Sequence, residues 1–179
     1  MLPRDSKVKQ PKTKSADEAL ASLMRLCARA ERSSGDALRL MARWGVPTAE
    51  RQKVLQRLID ERFIDDVRYT EAFIREKTNL SAWGEYKIKA TLRSKGIPEQ
   101  IINAALAEND SINNTERLRE RLARKLRSIK ADTTYQLKTK LIRYGLSLGF
   151  PSDVVIECAE NLINELNLKD KCDTDDIFF

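Results

Sequence analysis

The sequence contains no histidine among its 179 residues. Histidine is the commonest metal ligand and general base, and it usually activates serine or cysteine nucleophiles. The six glycines are scattered, and none belongs to a P-loop sequence that could cradle a nucleotide phosphate. We therefore predict a protein that is not an enzyme and that needs no cofactor and no metal.

Cysteines and long apolar runs are also scarce. Cys27, Cys158 and Cys172 are an odd number without a close pair, which fits neither a disulfide framework nor a zinc site. No stretch approaches the roughly 20 apolar residues that a membrane-spanning helix needs. The N-terminus lacks the apolar run of a secretory signal. We predict a cytoplasmic protein with reduced thiols and no membrane contact.

The charge is unevenly distributed. The chain has 33 Lys and Arg against 27 Asp and Glu, and residues 1–14 are basic and contain two prolines. We predict a flexible, disordered arm there. Residues 168–179 are acidic and end in aromatic side chains, which predicts a flexible acidic tail.

Between these arms the apolar residues follow helical spacing, and no alternation long enough for a strand occurs. A Gly-apolar-Pro triplet recurs at nearly equal intervals, as Gly45-Val46-Pro47, Gly96-Ile97-Pro98 and Gly149-Phe150-Pro151. Glycine ends a helix readily and proline suits the start of the next one, so each triplet predicts a tight turn between two helices.

The residues around the three triplets match as well. The same offsets pick out nine small or apolar residues, which we predict to be core positions: Ala37, Met41, Val54, Ile88, Leu92, Ala105, Leu141, Gly145 and Cys158. We predict an all-α fold of three tandem three-helix repeats, covering residues 15–66, 67–110 and 111–167. Such repeats would form an elongated, curved array.

The second of these units carries a specific pattern. It reads Phe-Ile-Asp-Asp-Val-Arg-Tyr at 63–69, Phe-Ile-Arg at 73–75, Trp-Gly at 83–84 and Lys-Gly-Ile at 95–97, with Lys87, Ile88 and Leu92 between them. This pattern resembles the central repeat of the RecX regulatory family. The resemblance covers roughly residues 16 to 166. It departs from many relatives at residues 77–82, which form a less basic loop in our interpretation.

The resemblance implies three tandem three-helix repeats and a role in bacterial DNA repair, recombination and the SOS response. It also implies binding to the RecA nucleoprotein filament, with modulation, in the direction of inhibition, of recombinase, ATPase and coprotease activities. We expect a monomer that contacts single-stranded or duplex DNA weakly, within the filament.

Basic residues on two predicted helices are the candidate contacts for this partner. They are Lys87, Lys89, Arg93, Lys95, Arg117, Arg121, Arg124, Lys125 and Arg127. A solvated helix face is the competing interpretation. In either case we expect substitution of Lys87, Lys95, Arg121 and Arg124 to leave folding intact, because exposed positions contribute little to stability.

Asp65 and Asp66 have a structural interpretation. Two carboxylates just before a helix cap its free N–H groups more often than they bind a metal. Arg68 is close enough in sequence to pair with either aspartate. We group these three residues with the Gly and Pro of each triplet as structural motifs.

Two other functional classes fit the pattern. Short helices joined by glycine turns are also typical of helix-turn-helix DNA-binding proteins, which read a duplex sequence. A helical-repeat adaptor that binds only proteins is the second alternative.

Overall fold

The computed structural model describes residues 13–109 and 115–175, with side chains described as far as residue 166. Within these ranges the chain forms nine α-helices and no strand, which confirms the all-α prediction. None of the helices in this part of the chain is long and apolar enough to cross a membrane. The predicted basic arm lies outside the described residues except for Thr13 and Lys14.

The helices group in threes, as predicted. Repeat 1 contains α1 (Ala16–Cys27), α2 (Ser34–Arg43) and α3 (Thr48–Asp60). Repeat 2 contains α4 (Asp66–Ser81), α5 (Glu85–Ser94) and α6 (Glu99–Ala107). Repeat 3 contains α7 (Thr115–Leu126), α8 (Thr134–Leu148) and α9 (Ser152–Asp175).

Each Gly-apolar-Pro triplet forms the turn between the second and third helix of its repeat. The three glycines have φ values of 71°, 80° and 89°, in the left-handed region that side chains with a Cβ adopt rarely. Pro47 and Pro98 take the N-cap positions of α3 and α6, where a missing N–H costs no helical hydrogen bond. Pro151 directly precedes α9 in the same way.

Each repeat has an apolar interior. All nine positions that the triplet spacing predicts to be core residues are buried. The repeat 1 core includes Leu23 and Leu58, and the repeat 3 core includes Leu118 and Val155. The helical spacing therefore identifies the face that each helix buries.

Two predictions about irregular segments are wrong. The helix α9 continues to Asp175, through most of the segment predicted as a flexible acidic tail. That stretch has no glycine or proline to stop a helix. The predicted loop at residues 77–82 is also helical as far as Ser81, because α4 runs four residues beyond Lys77.

The chain divides into two compact units that do not follow the repeat boundaries. Among the described residues, unit 1 contains residues 13–69 and 95–97, and unit 2 contains 70–94, 98–109 and 115–175. The glycine turn of repeat 2 thus clusters with repeat 1.

One hydrogen bond recurs at all three glycine turns. The carbonyl of the residue just before each glycine accepts a hydrogen bond from a residue far upstream in the chain. In unit 1, Trp44 O accepts from Lys14 N at 2.9 Å, and Lys95 O accepts from Ser33 Oγ at 3.2 Å. In unit 2, Leu148 O accepts from Gly84 N at 2.8 Å. Each turn is therefore held by an earlier segment of the chain.

Close backbone approach accompanies these bonds. A Cβ atom on Gly35 would collide with the Lys95 carbonyl, and one on Gly84 would collide with the Gly149 carbonyl. Backbone atoms cannot move aside as a flexible side chain can. Glycine is therefore required at these two positions because a Cβ atom would clash with backbone, although neither residue has a positive φ.

We expect Gly35→Ala to destabilise unit 1. Gly35 lies within α2, so helix propensity alone would make alanine more stable by roughly 1 kcal/mol. The clash with the Lys95 carbonyl should reverse the sign and lower the free energy of unfolding by about 1–3 kcal/mol. Urea unfolding followed by circular dichroism measures the difference. Gln52→Ala, at an exposed site of α3, serves as the control, and a Gly35→Ala variant more stable than the parent would contradict the packed turn.

Candidate partner-binding surface

The two adjacent aspartates contact the N-terminal ends of two different helices, α4 and α2. Asp65 Oδ1 accepts hydrogen bonds from the N–H groups of Val67 and Arg68, both at 3.0 Å, which makes it the N-cap of α4. Asp66 Oδ1 instead accepts from Ser34 N, at the start of α2, at 2.8 Å. Sequence spacing shows the first contact but contains no signal for the second.

Arg68 binds a carboxylate that the sequence does not single out. Its guanidinium forms two hydrogen bonds with Glu31, at 2.7 and 3.1 Å. The hydrogen bond to Glu31 is the main cause of the raised Arg68 pKa. Glu31 lies in the segment between α1 and α2, so Arg68 ties this segment to the first turn of α4.

Lys95, in unit 1, binds within its own unit. Its Nζ lies 2.9 Å from Asp36 Oδ2 and 5.5 Å from the centre of the Tyr69 ring. Burial opposes ionisation of Asp36, but hydrogen bonds from Lys95 and Arg39 outweigh burial and lower the Asp36 pKa. Burial likewise opposes the charge on Lys95, while hydrogen bonds to Tyr69 and Asp36 raise its pKa. This lysine stabilises the repeat 2 turn.

Lys87 plays a comparable part in unit 2. Its Nζ donates to the carbonyl of Ser147 at 2.9 Å and lies 4.4 Å from the centre of the Trp83 ring. Trp83 packs edge-on against Phe73, with ring centres 6.2 Å apart. The lysine therefore joins the start of α5 to the last turn of α8.

Arg117 and Arg121 stabilise the C-terminal end of α4. Arg117 donates to Thr78 O at 3.2 Å and to Asn79 Oδ1 at 2.9 Å, and Arg121 donates to Leu80 O at 2.8 Å. The last carbonyls of a helix have no partner inside it, and they carry the negative end of the helix dipole. The two arginines satisfy those groups and balance that charge.

Three other predicted contact residues form ion pairs at the surface. Lys89 pairs with Glu85 at 2.7 Å, Arg93 with Glu99 at 2.6 Å, and Arg124 with Glu120 at 3.3 Å. The pairs of Arg93 and Arg124 are exposed, and exposed pairs contribute only about 0–1 kcal/mol, whereas Lys89 and Glu85 are half-buried. Pairing therefore neither holds Arg93 and Arg124 strongly nor prevents them from contacting a partner.

A basic face remains on repeat 3. Lys125 Nζ lies 5.5 Å from the centre of the Tyr144 ring, and Lys140 Nζ donates to Lys130 O at 2.6 Å, so the end of α7 and the middle of α8 are adjacent. We define the α7–α8 basic face as the exposed cations on these segments: Arg124, Lys125, Lys130, Lys140 and Arg143. Arg127 is exposed but lines a neighbouring groove of about 530 Å³ with Leu126 and Leu162.

The sequence interpretation missed three members of this face. Lys130 follows α7, and Lys140 and Arg143 lie three residues apart on α8. Helical spacing could have shown that the last two share a side of α8 with Tyr144. Only the contacts between α7 and α8 bring these cations near Lys125.

Comparison with known proteins identifies the repeats. Residues 65–106 match the model of the RecX second three-helix domain, and residues 113–158 match that of the RecX third three-helix domain. A regulatory protein RecX from Prosthecochloris aestuarii is 31% identical over 112 residues, which are 63% of this chain and 72% of that protein. The chain belongs to the RecX family.

Another RecX relative shows the extent of the match. The regulatory protein RecX of Clostridium botulinum (strain Eklund 17B / Type B) is 31% identical over 114 residues, and the match covers 63% of this chain but only 53% of that protein. This chain therefore matches about half the length of that curated relative.

Solved RecX structures share the fold. A crystal structure of a regulatory protein RecX superimposes with a TM-score of 0.71 at 22% identity, covering 81% of this chain and 73% of that one. The RecX crystal structure from Lactobacillus salivarius gives a TM-score of 0.62 at 24% identity, covering 86% and 97% of the two chains. The RecX fold is thus preserved at low identity.

The structure revises our expectation about the basic residues. Lys87, Lys95 and Arg121 hold backbone carbonyls or a carboxylate, so their substitution should lower stability. We expect Lys87→Met to lower the free energy of unfolding by about 1–2 kcal/mol, through loss of one hydrogen bond and one cation–π contact. Arg93→Met, at an exposed position of the same helix, should change it by less than about 0.5 kcal/mol. Thermal unfolding measures both, and equal effects would contradict the structural role of Lys87.

A pH dependence follows from Asp36. Its pKa is lower in the folded protein than the ordinary value of 3.8, so its stabilising contribution is present above that value and is lost as pH falls below it. We expect Asp36→Asn to be less stable than the parent near pH 7. The gap should close in acid as the parent's carboxyl takes up a proton. Urea unfolding at several pH values measures the gap, and a constant gap would exclude the charged pair with Lys95.

Proposed function

We propose that this chain is a RecX-type regulator that binds the RecA nucleoprotein filament and inhibits its recombinase, ATPase and coprotease activities. Membership of the RecX family, whose named relatives are regulatory proteins, is the observation that carries the proposal. The chain acts as a monomer in the cytoplasm and has no catalytic activity of its own. Binding energy, rather than chemistry, produces the effect.

The distribution of cations supports a specific contact surface. Four of the nine basic residues predicted as contacts, Lys87, Lys95, Arg117 and Arg121, bind groups of their own unit that lie far away in the sequence. The cations of the α7–α8 basic face are exposed and hold at most weak surface pairs or single carbonyl contacts. An exposed basic face attracts a negatively charged partner and increases its rate of association. We propose this face as the main filament contact, with DNA phosphates inside the filament as weaker contacts.

A competition experiment separates this function from the alternatives. The chain is mixed with labelled single-stranded DNA, duplex DNA and RecA filament assembled on single-stranded DNA, and binding is measured by fluorescence anisotropy. We expect the filament to bind most tightly and its ATP hydrolysis to fall as the chain is added. Sequence-dependent binding to duplex alone would favour a helix-turn-helix protein. Binding to RecA without DNA, with unchanged ATP hydrolysis, would favour an adaptor.

The proposed contact surface has its own test. Reversing Arg124 and Arg143 to Glu places two negative charges on the α7–α8 basic face and should weaken filament binding by roughly tenfold or more, because like charges then oppose the partner. The thermal midpoint should stay close to that of the parent, since both side chains are exposed.

The control for this test has the same change in net charge. Lys53→Glu with Arg29→Glu reverses two exposed cations of repeat 1. It should bind filament nearly as the parent does. If both double variants lose binding equally, net charge rather than the α7–α8 basic face determines the affinity.

A further inference from the structure

A second basic site lies on repeat 1, and of the residues predicted as contacts only Lys95 reaches it, through its ion pair with Asp36. A cleft of about 500 Å³ is lined by Arg32, Asp36, Arg39, Leu40, Ala42 and Arg43. All six belong to unit 1, and five of them lie on α2. Three guanidinium groups thus surround one small cleft.

Arg32 is the unusual member. Its Nε atom is buried and has no hydrogen-bond partner among the residues that the structure describes. A buried donor without an acceptor costs roughly 1–3 kcal/mol, and more when it is charged, so native proteins rarely retain one without a reason. A bound oxyanion would supply the missing acceptor.

The nearby carboxylates are already engaged. Asp36 is shared by Arg39 at 2.6 Å and Lys95 at 2.9 Å. Glu31, next to Arg32 in sequence, holds Arg68. Arg43 is exposed and makes no hydrogen bond or ion pair with the described part of the chain. The cleft therefore has more cationic donors than its own acceptors can satisfy.

We propose that this cleft binds a backbone phosphate of single-stranded nucleic acid, with Arg32 and Arg43 as the main donors. Guanidinium groups fit phosphate oxygens through paired N–H donors. Arg39 and Arg43 are one helical turn apart, about 6 Å along the axis. A single strand carries one phosphate per nucleotide, so a strand crossing the cleft offers more than one phosphate.

The site is separate from the α7–α8 basic face. This proposal rests on the proposed function only in one respect: the phosphate comes from the DNA of the RecA filament. Because a single buried donor is unsatisfied, Arg32 holds one phosphate of the strand at a fixed place, which differs from a diffuse counterion layer. A strand is favoured over an acidic peptide, since adjacent phosphates can also engage Arg43.

The decisive variant is Arg32→Met, which keeps the apolar stem of the side chain and removes the unsatisfied N–H. We expect its thermal midpoint to equal or exceed that of the parent, because no hydrogen bond is lost. Its affinity for a fluorescein-labelled 20-nucleotide oligonucleotide should fall by about tenfold. The slope of log affinity against log salt should become shallower by about 0.7, the value for one phosphate contact on a single strand.

Two further variants provide a second test of the cleft and a control with the same change in charge. Arg43→Met, at an exposed position without a partner in the described residues, should reduce the affinity and the slope while the fold is undisturbed. Lys53→Met removes the same charge from an exposed site on α3 and should leave both nearly unchanged. An oligoglutamate of equal charge is measured in parallel.

Three results would overturn the proposal. A lower midpoint for Arg32→Met would make Arg32 a structural residue. Unchanged oligonucleotide affinity and slope in both Arg32→Met and Arg43→Met would exclude the phosphate. Loss of oligoglutamate binding alone would assign the cleft to an acidic protein segment.

The filament assay is independent of this one. If the parent chain does not bind RecA filaments but Arg32→Met lowers oligonucleotide affinity, the proposed function is wrong and the phosphate site is supported. The reverse pattern would reject only the phosphate site.

Discussion

The capture of one carbonyl at each glycine turn is the constraint on which the rest of the structure depends. A left-handed glycine ends the second helix of a repeat and leaves carbonyl groups without partners inside that helix. Lys14, Ser33 and Gly84 each supply a donor to the carbonyl just before the glycine. The Ser33 hydrogen bond to Lys95 O, the ion pair of Lys95 with Asp36 and the close approach of Gly35 all connect the repeat 2 turn to repeat 1. Lys14, just before α1, donates the corresponding hydrogen bond in repeat 1.

Carbonyl groups at the ends of helices also need hydrogen-bond donors, and several Lys and Arg side chains supply them. Lys87, Arg117 and Arg121 all donate to carbonyls in or near the last turn of a helix, where the dipole is negative and no internal donor remains. These three cations therefore stabilise the fold and are already engaged within the chain. A high content of Lys and Arg in a small helical-repeat protein is in this respect a structural property. The binding properties of the surface depend on the remaining cations, which do not donate to helix carbonyls.

Sequence and structure agree where the information is local. The Gly-apolar-Pro triplets and the helical spacing around them predict the turns and the buried positions, since both depend on backbone preferences and on one helix face at a time. The hydrogen bond that Ser34 N donates to Asp66 and the pair of Arg68 with Glu31 depend on residues more than thirty positions apart. Basic residues at helical spacing look alike in sequence whether they bind a carbonyl or face solvent. The structural role of Lys87 and the surface role of Arg93 could therefore be separated only by the contacts of the fold.

Stability and binding make opposite demands on the remaining arginines. A guanidinium placed against a carbonyl or carboxylate, as in Arg121 or Arg68, lowers the free energy of the folded chain. One buried without an acceptor, as in Arg32, raises it. Stability alone would favour an apolar residue in place of Arg32, because its buried Nε–H has no acceptor among the described residues. An external oxyanion would accept the hydrogen bond of Arg32 Nε. The free-energy cost of the unsatisfied donor in the unbound protein is then removed on binding.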